Sequence, residues 1–545
     1  MTQPDPQPET QSESPLAESP LAESPLAESP LAESPLAESP LGAPAAQPLS
    51  DLDLLDRLGD DLRAAGYDST GVPELLGVSA HRALARGELG PALRATRDRS
   101  PRATLIRLFL LGATEDEKQV RRALPGTPIA AAVAQGLLER DGRDLRAALD
   151  VRPHADESTE FLLVSDLDSD TRPGPVRPDH VLGAGATSIT LARAVIREPA
   201  GRALDLGTGC GIQAVHLASH AQTVVATDTN PRALALAAAT ARLNGQTWDL
   251  RRGSLYDPVP NERFDLIVSN PPFIVGEGEQ RFAYRDSGVA GDGLCQALVG
   301  GVREHLNPGG TAQLLANWIV REDSDWRARV GDWVAGTGCD AWVVQREIAD
   351  PAEYVGLWLK DSGEATQGRD SPAVAELTSR WLDYFDRERI SGIGMGVITL
   401  RRVDSADPQV TLDEIIGPDE DVTGQEATAF LARRGWVVRT GDAELLGTRL
   451  SLSPAAVLEM RALAGHQGWT TVLRLLRRAG GPGATLQLDE WGQALLGGCT
   501  GEAPLQLQID LLAAAHGLDA DALTAAVLPS IRVGITRGLL HPVPA

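Results

Sequence analysis

Lysine is almost absent from this chain of 545 residues: only Lys118 and Lys360 occur, and arginine supplies the other basic side chains. The 50 basic residues are opposed by 75 acidic residues, so the formal net charge is −25. Proteins that neutralise many phosphate groups are normally basic, which argues against a long nucleic-acid footprint. One local surface lined by arginine is still compatible with these numbers.

Cysteine and long apolar runs are also scarce. The four cysteines are far apart and form no Cys-x-x-Cys pair, which argues against a zinc site or a disulfide framework and favours a reducing cytosol. No stretch approaches the length of a membrane-spanning helix, and the N-terminus lacks the features of a secretory signal. We therefore expect a cytoplasmic protein that binds neither a membrane nor a metal ion.

The chain is too long for one hydrophobic core, so several domains are expected. Residues 13–42 are six copies of Glu-Ser-Pro-Leu-Ala, the last of which ends in Gly42. A proline at every fifth position prevents a helix, and no copy has enough apolar surface to pack. We predict that residues 1–48 are a disordered, acidic, proline-rich tail.

Residues 49–178 are predicted to form an accessory domain with helices and a small sheet. The apolar spacing indicates helices at 51–65, 104–112 and 128–138 and strands at 145–151 and 160–165. Helices followed by a hairpin are typical of a winged-helix arrangement. In so acidic a chain, this domain is expected to guide the substrate or to serve as a scaffold.

Residues 179–405 alternate between strand and helix patterns, which predicts an α/β domain with a parallel sheet. Strands are expected near 202–207, 223–228, 249–254, 264–269, 311–316, 341–347 and 395–402, with helices between the first five. The last strand is expected to be antiparallel and near an edge of the sheet. Residues 350–390 are expected to form a helix over the domain.

Residues 410–545 are predicted to be mostly helical. Two groups of apolar residues have helical spacing and are expected in the core: Leu473, Leu475 and Leu476, and Leu511, Leu512 and Ala515. No catalytic combination of residues occurs in this region.

A glycine-rich turn follows the first strand of the α/β region. The sequence Asp205-Leu206-Gly207-Thr208-Gly209-Cys210-Gly211 ends that strand and precedes a helix, and its glycines allow a ligand to approach the backbone closely. The next strand ends at Asp228, where a carboxylate can accept hydrogen bonds from ribose hydroxyls. The spacing differs from the dinucleotide fingerprint, so the glycine turn alone is weak evidence.

The strongest motif is Asn270-Pro271-Pro272-Phe273, directly after the predicted strand 264–269. Asn-Pro often opens a surface turn, and the motif alone would be explained equally well in that way. Together with the glycine turn upstream, it predicts a site that holds a planar amino group beside a methyl donor.

These two motifs resemble those of the class I methyltransferases that use S-adenosylmethionine (SAM). The resemblance implies a Rossmann-like, seven-stranded sheet. It also implies SAM-binding roles for ten residues: Asp205, Gly207, Thr208, Gly209, Gly211, Asp228, Asn230, Ser254, Leu255 and Asn270. Ser254 stands where the family often has an acid near the adenine ring. Residues 182–188 either close over the methionine part of SAM or only begin a helix.

The Asn-Pro-Pro-Phe motif resembles that of enzymes that methylate amino groups. The resemblance implies that Asn270 and the Pro271 carbonyl accept hydrogen bonds from the substrate nitrogen, while Pro272 stiffens the turn and Phe273 stacks on the substrate. Adenine-N6 and guanine-N2 nucleic-acid enzymes and release-factor glutamine enzymes all share the motif. The leading hypothesis is methylation of a base in ribosomal RNA, and the alternative is methylation of a glutamine in a protein. A third hypothesis is a binding module without catalysis.

Arg285, in the loop after the motif, has two equally good interpretations. It contacts a phosphate or the backbone of the substrate, or it pairs with Asp286 and anchors the loop.

Overall fold

The computed structural model of the protein describes residues 48–156, 158–168, 171, 176–361, 371–418, 420–466 and 468–544. The predicted disordered tail therefore lies outside the described residues except for Pro48. No described helix is both long enough and apolar enough to cross a membrane.

The N-terminal region consists of short helices followed by two β-hairpins, β1–β2 and β3–β4. Its elements are α1 (Leu52–Ala64), α2 (Gly71–Leu84), α3 (Leu89–Ala95), α4 (Pro101–Leu105) with a π-helical extension (Ile106–Leu110), α5 (Glu117–Ala123), α6 (Ile129–Ala134), β1 (Leu138–Asp141), β2 (Asp144–Ala147), β3 (Asp150–Ala155) and β4 (Glu160–Ser165). The strand predicted at 145–151 is divided between β2 and β3. The winged-helix likeness stays a prediction.

Helix α1 illustrates how the sequence determines these elements. The Asp51 side chain accepts a hydrogen bond from the Leu54 backbone N–H, which caps the first turn. Four leucines at helical spacing are buried on one face: Leu54, Leu55, Leu58 and Leu62.

The central region is a large mixed sheet with helices on both faces. Its elements are α7 (Ala186–Ala194), β5 (Ala200–Leu206), α8 (Ile212–Leu217), β6 (Ala221–Asp228), α9 (Pro231–Leu243), β7 (Asp249–Arg252), β8 (Phe264–Ser269), α10 (Gly293–His305), β9 (Leu306–Arg321), α11 (Trp326–Ala335), β10 (Asp340–Ala349), α12 (Pro351–Asp361), α13 (Pro372–Arg387), β11 (Ile390–Arg401) and β12 (Val410–Glu414).

The strand order is β12-β10-β11-β9-β8-β5-β6-β7. Strands β7, β6, β5, β8 and β9 run parallel, and β11 is antiparallel to both of its neighbours. The first seven strands of this sheet in chain order, β5 to β11, have the arrangement of the Rossmann-like class I methyltransferase fold, so the predicted fold is confirmed.

Three details of the predicted sheet are wrong. Strand β11 lies inside the sheet rather than near an edge, because its backbone pairs along one side with β9 and along the other with β10. The 11 residues that connect β7 and β8 form turns instead of a helix. Strand β12, within residues that we assigned to the C-terminal region, pairs in parallel with β10 as an eighth strand.

The N-terminal region shares a continuous hydrophobic core with one face of the central sheet. Strand β4 lies on α9: the Leu162 backbone N–H donates to Asn244 Oδ1 at 2.9 Å, and the Val164 backbone N–H donates to Thr240 Oγ1 at 3.1 Å. An ion pair between Asp56 on α1 and Arg242 on α9 adds a second contact. These contacts hold the accessory elements against the central sheet.

Among its described residues, the C-terminal region contains six strands as well as helices, and the sequence did not predict these strands. Its elements are α14 (Gly424–Arg439), α15 (Asp442–Gly447), β13 (Arg449–Leu452), β14 (Ala456–Gly465), β15 (Gly468–Arg478), β16 (Thr485–Gln487), α16 (Glu490–Gly497), β17 (Thr500–Pro504), α17 (Leu505–His516), α18 (Ala520–Thr536) and β18 (Leu540–Val543).

The apolar spacing led to two wrong predictions of core residues in this region. Leu473, Leu475 and Leu476 lie in strand β15, and only Leu476 is buried. Helix α17 buries Leu505, Ile509 and Ala513 instead of the predicted Leu511, Leu512 and Ala515. Short leucine runs fit both periods, and the β-branched residues Thr470, Thr471 and Val472 favour the strand.

Candidate active site

The glycine turn lies between the carboxyl end of β5 and the start of α8. The backbone φ angles of Gly207, Gly209 and Gly211 are +74°, +55° and +85°, in the left-handed region that glycine adopts most easily. The backbone N–H groups of Gly207 and Thr208 both donate to the Thr227 carbonyl at 2.9 Å. The turn is therefore tied to the end of the neighbouring strand β6.

Asp205 is fully buried beneath this turn. Its Oδ2 accepts hydrogen bonds from the Thr208 hydroxyl at 2.7 Å and from the Ala214 backbone N–H at 3.1 Å. Its Oδ1 is buried and has no hydrogen-bond partner among the described residues. Burial raises the pKa of Asp205 to about 7, and this carboxyl holds a proton more tightly than an exposed one.

Replacing Asp205 with asparagine should flatten the dependence of stability on pH. In the unfolded chain this carboxyl ionises near its ordinary value of 3.8, whereas in the folded protein it ionises near 7. Its contribution to stability is therefore complete below about pH 4 and is lost as the pH rises towards about 7. Urea unfolding at several pH values should show this loss in the native protein and not in Asp205→Asn. Parallel curves for the two proteins would contradict the assignment.

Asp228, at the end of β6, lies beside the glycine turn. Its Oδ2 accepts the Gly209 backbone N–H at 2.9 Å, and its Oδ1 accepts the Asn230 backbone N–H at 2.8 Å. Burial raises the pKa of this carboxyl. Each carboxylate oxygen has further lone-pair capacity, so both can accept additional hydrogen bonds.

The Asn230 side chain has two partners within the protein. Its oxygen caps α9 by accepting the Arg232 backbone N–H at 2.9 Å, and its nitrogen donates to the Asp179 carbonyl at 3.0 Å. Ser254 and Leu255 lie in the turn after β7, at the same edge of the sheet. Ser254 is exposed, and Leu255 has a left-handed φ of +46° and is half-buried. All the predicted SAM-binding residues therefore lie at or next to the carboxyl ends of β5, β6, β7 and β8.

Asn270 follows β8 at this same edge, and its carbonyl lies 4.0 Å from the position that a Cβ atom on Gly207 would occupy. The Asn270 side-chain nitrogen donates to the Ser188 hydroxyl on α7 at 3.2 Å. The side-chain oxygen is buried and has no hydrogen-bond partner among the described residues. Since buried polar atoms are normally paired, this oxygen is available to accept a hydrogen bond from a ligand.

Ser188 orients the Asn270 amide, a contact that the sequence did not predict. Its backbone carbonyl accepts a hydrogen bond from the Gln213 side chain on α8 at 2.8 Å, which fixes α7 beside the glycine turn. The sequence identifies the stretch 182–188 as the start of a helix or as a segment over the methionine part of SAM, but nothing in it pairs Ser188 with Asn270.

A Ser188→Ala variant should turn over about tenfold more slowly with little change in KM, because one hydrogen bond that orients Asn270 is lost. Steady-state methyl-transfer kinetics would measure both constants. Ser188→Thr keeps the hydroxyl and is the matched control. An alanine variant as fast as the native protein would exclude this role.

Phe273 lies at the junction of the hydrophobic clusters on the two faces of the sheet and is half-buried. Its ring centre is 6.3 Å from that of Trp358 on α12, and the planes are inclined by 62°. The Tyr354 hydroxyl, also on α12, accepts hydrogen bonds from the Val275 backbone N–H at 3.0 Å and from Asn317 Nδ2 at 3.1 Å. Helix α12 therefore covers the chain that follows the motif.

Arg285 anchors the loop after the motif. Its Nε lies 3.2 Å from Asp286, its NH1 donates to the Trp358 carbonyl at 2.9 Å, and its guanidinium lies over the Phe282 ring at 4.5 Å. The side chain is buried. Of the two interpretations, the structure supports the anchoring role.

A groove lined by acidic and basic residues runs beside this loop. It is bordered by Ile274, Glu277, Glu279, Arg281, Arg380 and Trp381. Within the described part of the chain, no group of three or more histidine, cysteine, aspartate or glutamate side chains is arranged to hold a metal ion.

Three protein families match segments of the chain. Residues 184–325, which include the glycine turn and the Asn-Pro-Pro-Phe motif, match the family described as the methyltransferase small domain. Residues 64–148 and 428–542 match two families that are each described as a domain of unknown function (DUF7059 and DUF7782).

Curated relatives are similar over the central region. A release factor glutamine methyltransferase from Geobacter sulfurreducens is 39% identical over 150 residues, which are 25% of this chain and 52% of that protein. A ribosomal RNA small subunit methyltransferase C from Klebsiella pneumoniae is 37% identical over 119 residues, which are 22% of this chain and 31% of that protein. The chain thus spans about half, or less, of the length of these relatives.

Proposed function

We propose that this chain, whose central domain is a SAM-dependent class I methyltransferase domain, methylates an exocyclic amino group of a base in ribosomal RNA. The observation that carries this proposal is the buried Oδ1 of Asn270, which has no hydrogen-bond partner among the described residues and lies in the same turn as the half-buried Phe273. An amide oxygen and an aromatic ring within one four-residue turn suit a flat group that bears an N–H.

The residues present fit SAM. When bound, SAM supplies an electrophilic methyl group. The turn at Gly207, Thr208, Gly209 and Gly211 would hold its amino-acid part, with Asp205 beneath that turn, and Asp228 would accept hydrogen bonds from its ribose. Space above Gly209 supports this assignment, since a Cβ atom there would meet no protein atom within 4 Å. Ser254 and Leu255 would lie beside the adenine, and Asn230 would act by capping α9.

Asn270 orients and polarises the nucleophile. An exocyclic amine is a poor nucleophile because its lone pair is delocalised into the ring. Asn270 Oδ1 accepts a hydrogen bond from one N–H of that amine, and the Pro271 carbonyl accepts one from the other. Both bonds strengthen as positive charge develops on nitrogen, so they stabilise the transition state more than the ground state.

Phe273 and Pro272 fix the geometry of approach. The Phe273 ring stacks on the flat substrate and directs its amine, while Pro272 stiffens the turn. No strong general base is needed, because the extra proton leaves the nitrogen after transfer. A target base would have to be unpaired or flipped out of its helix to enter against Phe273.

A glutamine side chain in a protein is the second candidate substrate. Its amide is also flat and bears an N–H₂ group, so Asn270 and Phe273 would act on it in the same way. The net charge of −25 favours a protein substrate, because binding a protein needs no phosphate-binding surface. The relatives of this chain include enzymes named for each of the two substrates.

Labelling would separate the two substrates. Lysate from a strain that lacks this protein would be incubated with the purified chain and with SAM that carries a labelled methyl group. We expect nuclease to release the label, whereas release by protease alone would replace the RNA proposal with the glutamine proposal. Asn270→Ala is the control for background, and no label above that control would contradict both.

A further inference from the structure

In the C-terminal region, strands β14 and β15 form an antiparallel ribbon, residues 456–465 and 468–478. Four of its large apolar side chains are strongly exposed: Trp469 at 78%, Leu463 at 65%, and Val457 and Met460 at 58% each. Val472 is also exposed. Exposed apolar side chains on both faces of one ribbon are typical of a surface that is covered by a partner.

One edge of the ribbon is open along its whole length. The sheet order is β14-β15-β16, so among the described residues β14 pairs only with β15. Strand β14 contains no proline or lysine, and its only charged residues are Glu459 and Arg461. Natural proteins usually protect an exposed edge with charges, proline or bulges, and β14 has little of this protection.

We propose that a second copy of this chain covers the edge, with the two β14 strands antiparallel about a two-fold axis at Met460. In this register Glu459 of each copy lies opposite Arg461 of the other. Val457 likewise lies opposite Leu463, and Leu458 lies opposite Ala462. Directly opposed residues on neighbouring strands share one face, so this register gives two ion pairs and several apolar pairs. The β14 sequence is therefore complementary to itself.

The contacts that Glu459 and Arg461 make within a single copy support this arrangement. Within a single copy, Glu459 lies 3.5 Å from Arg477, a loose and partly exposed contact. Arg461 is exposed, and no ion pair is found for it in the described part of the chain. The second copy would supply the partner that Arg461 lacks.

A nucleic acid is a poorer partner for the ribbon. Two of its four arginines are already held by the same chain, Arg474 by Gln493 and Arg478 by Glu426, and Arg477 makes the loose contact with Glu459. Trp469 can stack on a base, but the exposed valine, leucine and methionine side chains offer a nucleic acid neither hydrogen bonds nor stacking. A second β14 strand would pair with the open backbone groups of β14 and would cover its exposed apolar side chains.

Charge reversal on the full chain tests the register. The native chain should sediment at twice its mass of 57.7 kDa. Glu459→Arg and Arg461→Glu should each weaken the dimer by about 100-fold, because two favourable pairs become two repulsive ones. An equal mixture of the two variants should dimerise again, since every pair in the mixed dimer joins opposite charges.

Thermal unfolding of each variant would verify that the fold is intact. Glu444→Arg, on the exposed surface of α15, is a control for the change in net charge and should leave the dimer unchanged. A monomeric native chain at about 50 µM, single variants that stay dimeric, or a mixture that stays monomeric would each overturn the proposal. None of these results depends on the proposed methyl transfer.

Discussion

An Asn270→Ala variant is expected to lose methyl transfer by about 10²–10³ in kcat, the effect of removing one preorganised hydrogen-bonding group at a developing charge. The loss follows from the position of Asn270 Oδ1, which is buried and which no described residue engages in a hydrogen bond. Single-turnover kinetics with labelled SAM would isolate the chemical step from binding and product release.

Two measurements distinguish a catalytic loss from a structural one. Among the described residues, the Asn270 side chain makes one long hydrogen bond, 3.2 Å to Ser188, so the melting temperature should change little. SAM affinity, measured by calorimetry, should stay within a few-fold of the native value. Full turnover by Asn270→Ala would remove the central assignment of the site, and a lost SAM affinity would make Asn270 a binding residue instead.

Gly211→Ala should mainly lower folding stability and Gly209→Ala should mainly lower SAM affinity, although both glycines lie in one turn. A Cβ atom on Gly211 would lie 2.6 Å from the Trp248 ring, at a backbone φ of +85°. Left-handed strain together with overpacking should cost about 3 kcal/mol of folding stability. A Cβ atom on Gly209 would meet no protein atom within 4 Å, so only the strain remains, about 1 kcal/mol.

SAM affinity should show the reverse order. The added methyl group of Gly209→Ala enters the space assigned to SAM, and we expect the affinity to fall on the order of 100-fold. Gly211→Ala that stays folded should bind SAM more tightly than Gly209→Ala. Chemical denaturation and calorimetry on both variants provide the comparison. Equal losses of stability would contradict the packing argument. An unchanged SAM affinity in Gly209→Ala would show that SAM does not bind against Gly209.

The parts of the fold that the sequence predicted well are those in which local signals agree. Helix α1 has a capping aspartate and a leucine stripe, and β5, β6 and β8 have short apolar runs that end at turn residues. For the site, the left-handed turn at Gly207–Gly211 and the position of Asn270 at a strand end follow from residue type and spacing alone.

The remaining features depend on contacts between distant segments. Nothing local in α7 indicates that the Ser188 hydroxyl accepts a hydrogen bond from Asn270, 82 residues away. Strand β11 lies inside the sheet because it pairs with both β9 and β10, and a pattern of apolar residues does not identify pairing partners. The leucines of β15 fit a helix and a strand equally well, and the pairing with β14 decides between them.

The interior position of β11 sets an order of events during translation. Strands β9 and β10 are not hydrogen-bonded to each other, because β11 lies between them and is synthesised after both. In a nascent chain that ends before residue 390, the long strand β9 pairs with β8 along one edge, and its other edge is open. Strand β10 then has no neighbouring strand with which to pair. Because unpaired edges invite aggregation, the growing chain is most vulnerable while α12 and α13 leave the ribosome. That interval ends only when β11 is inserted.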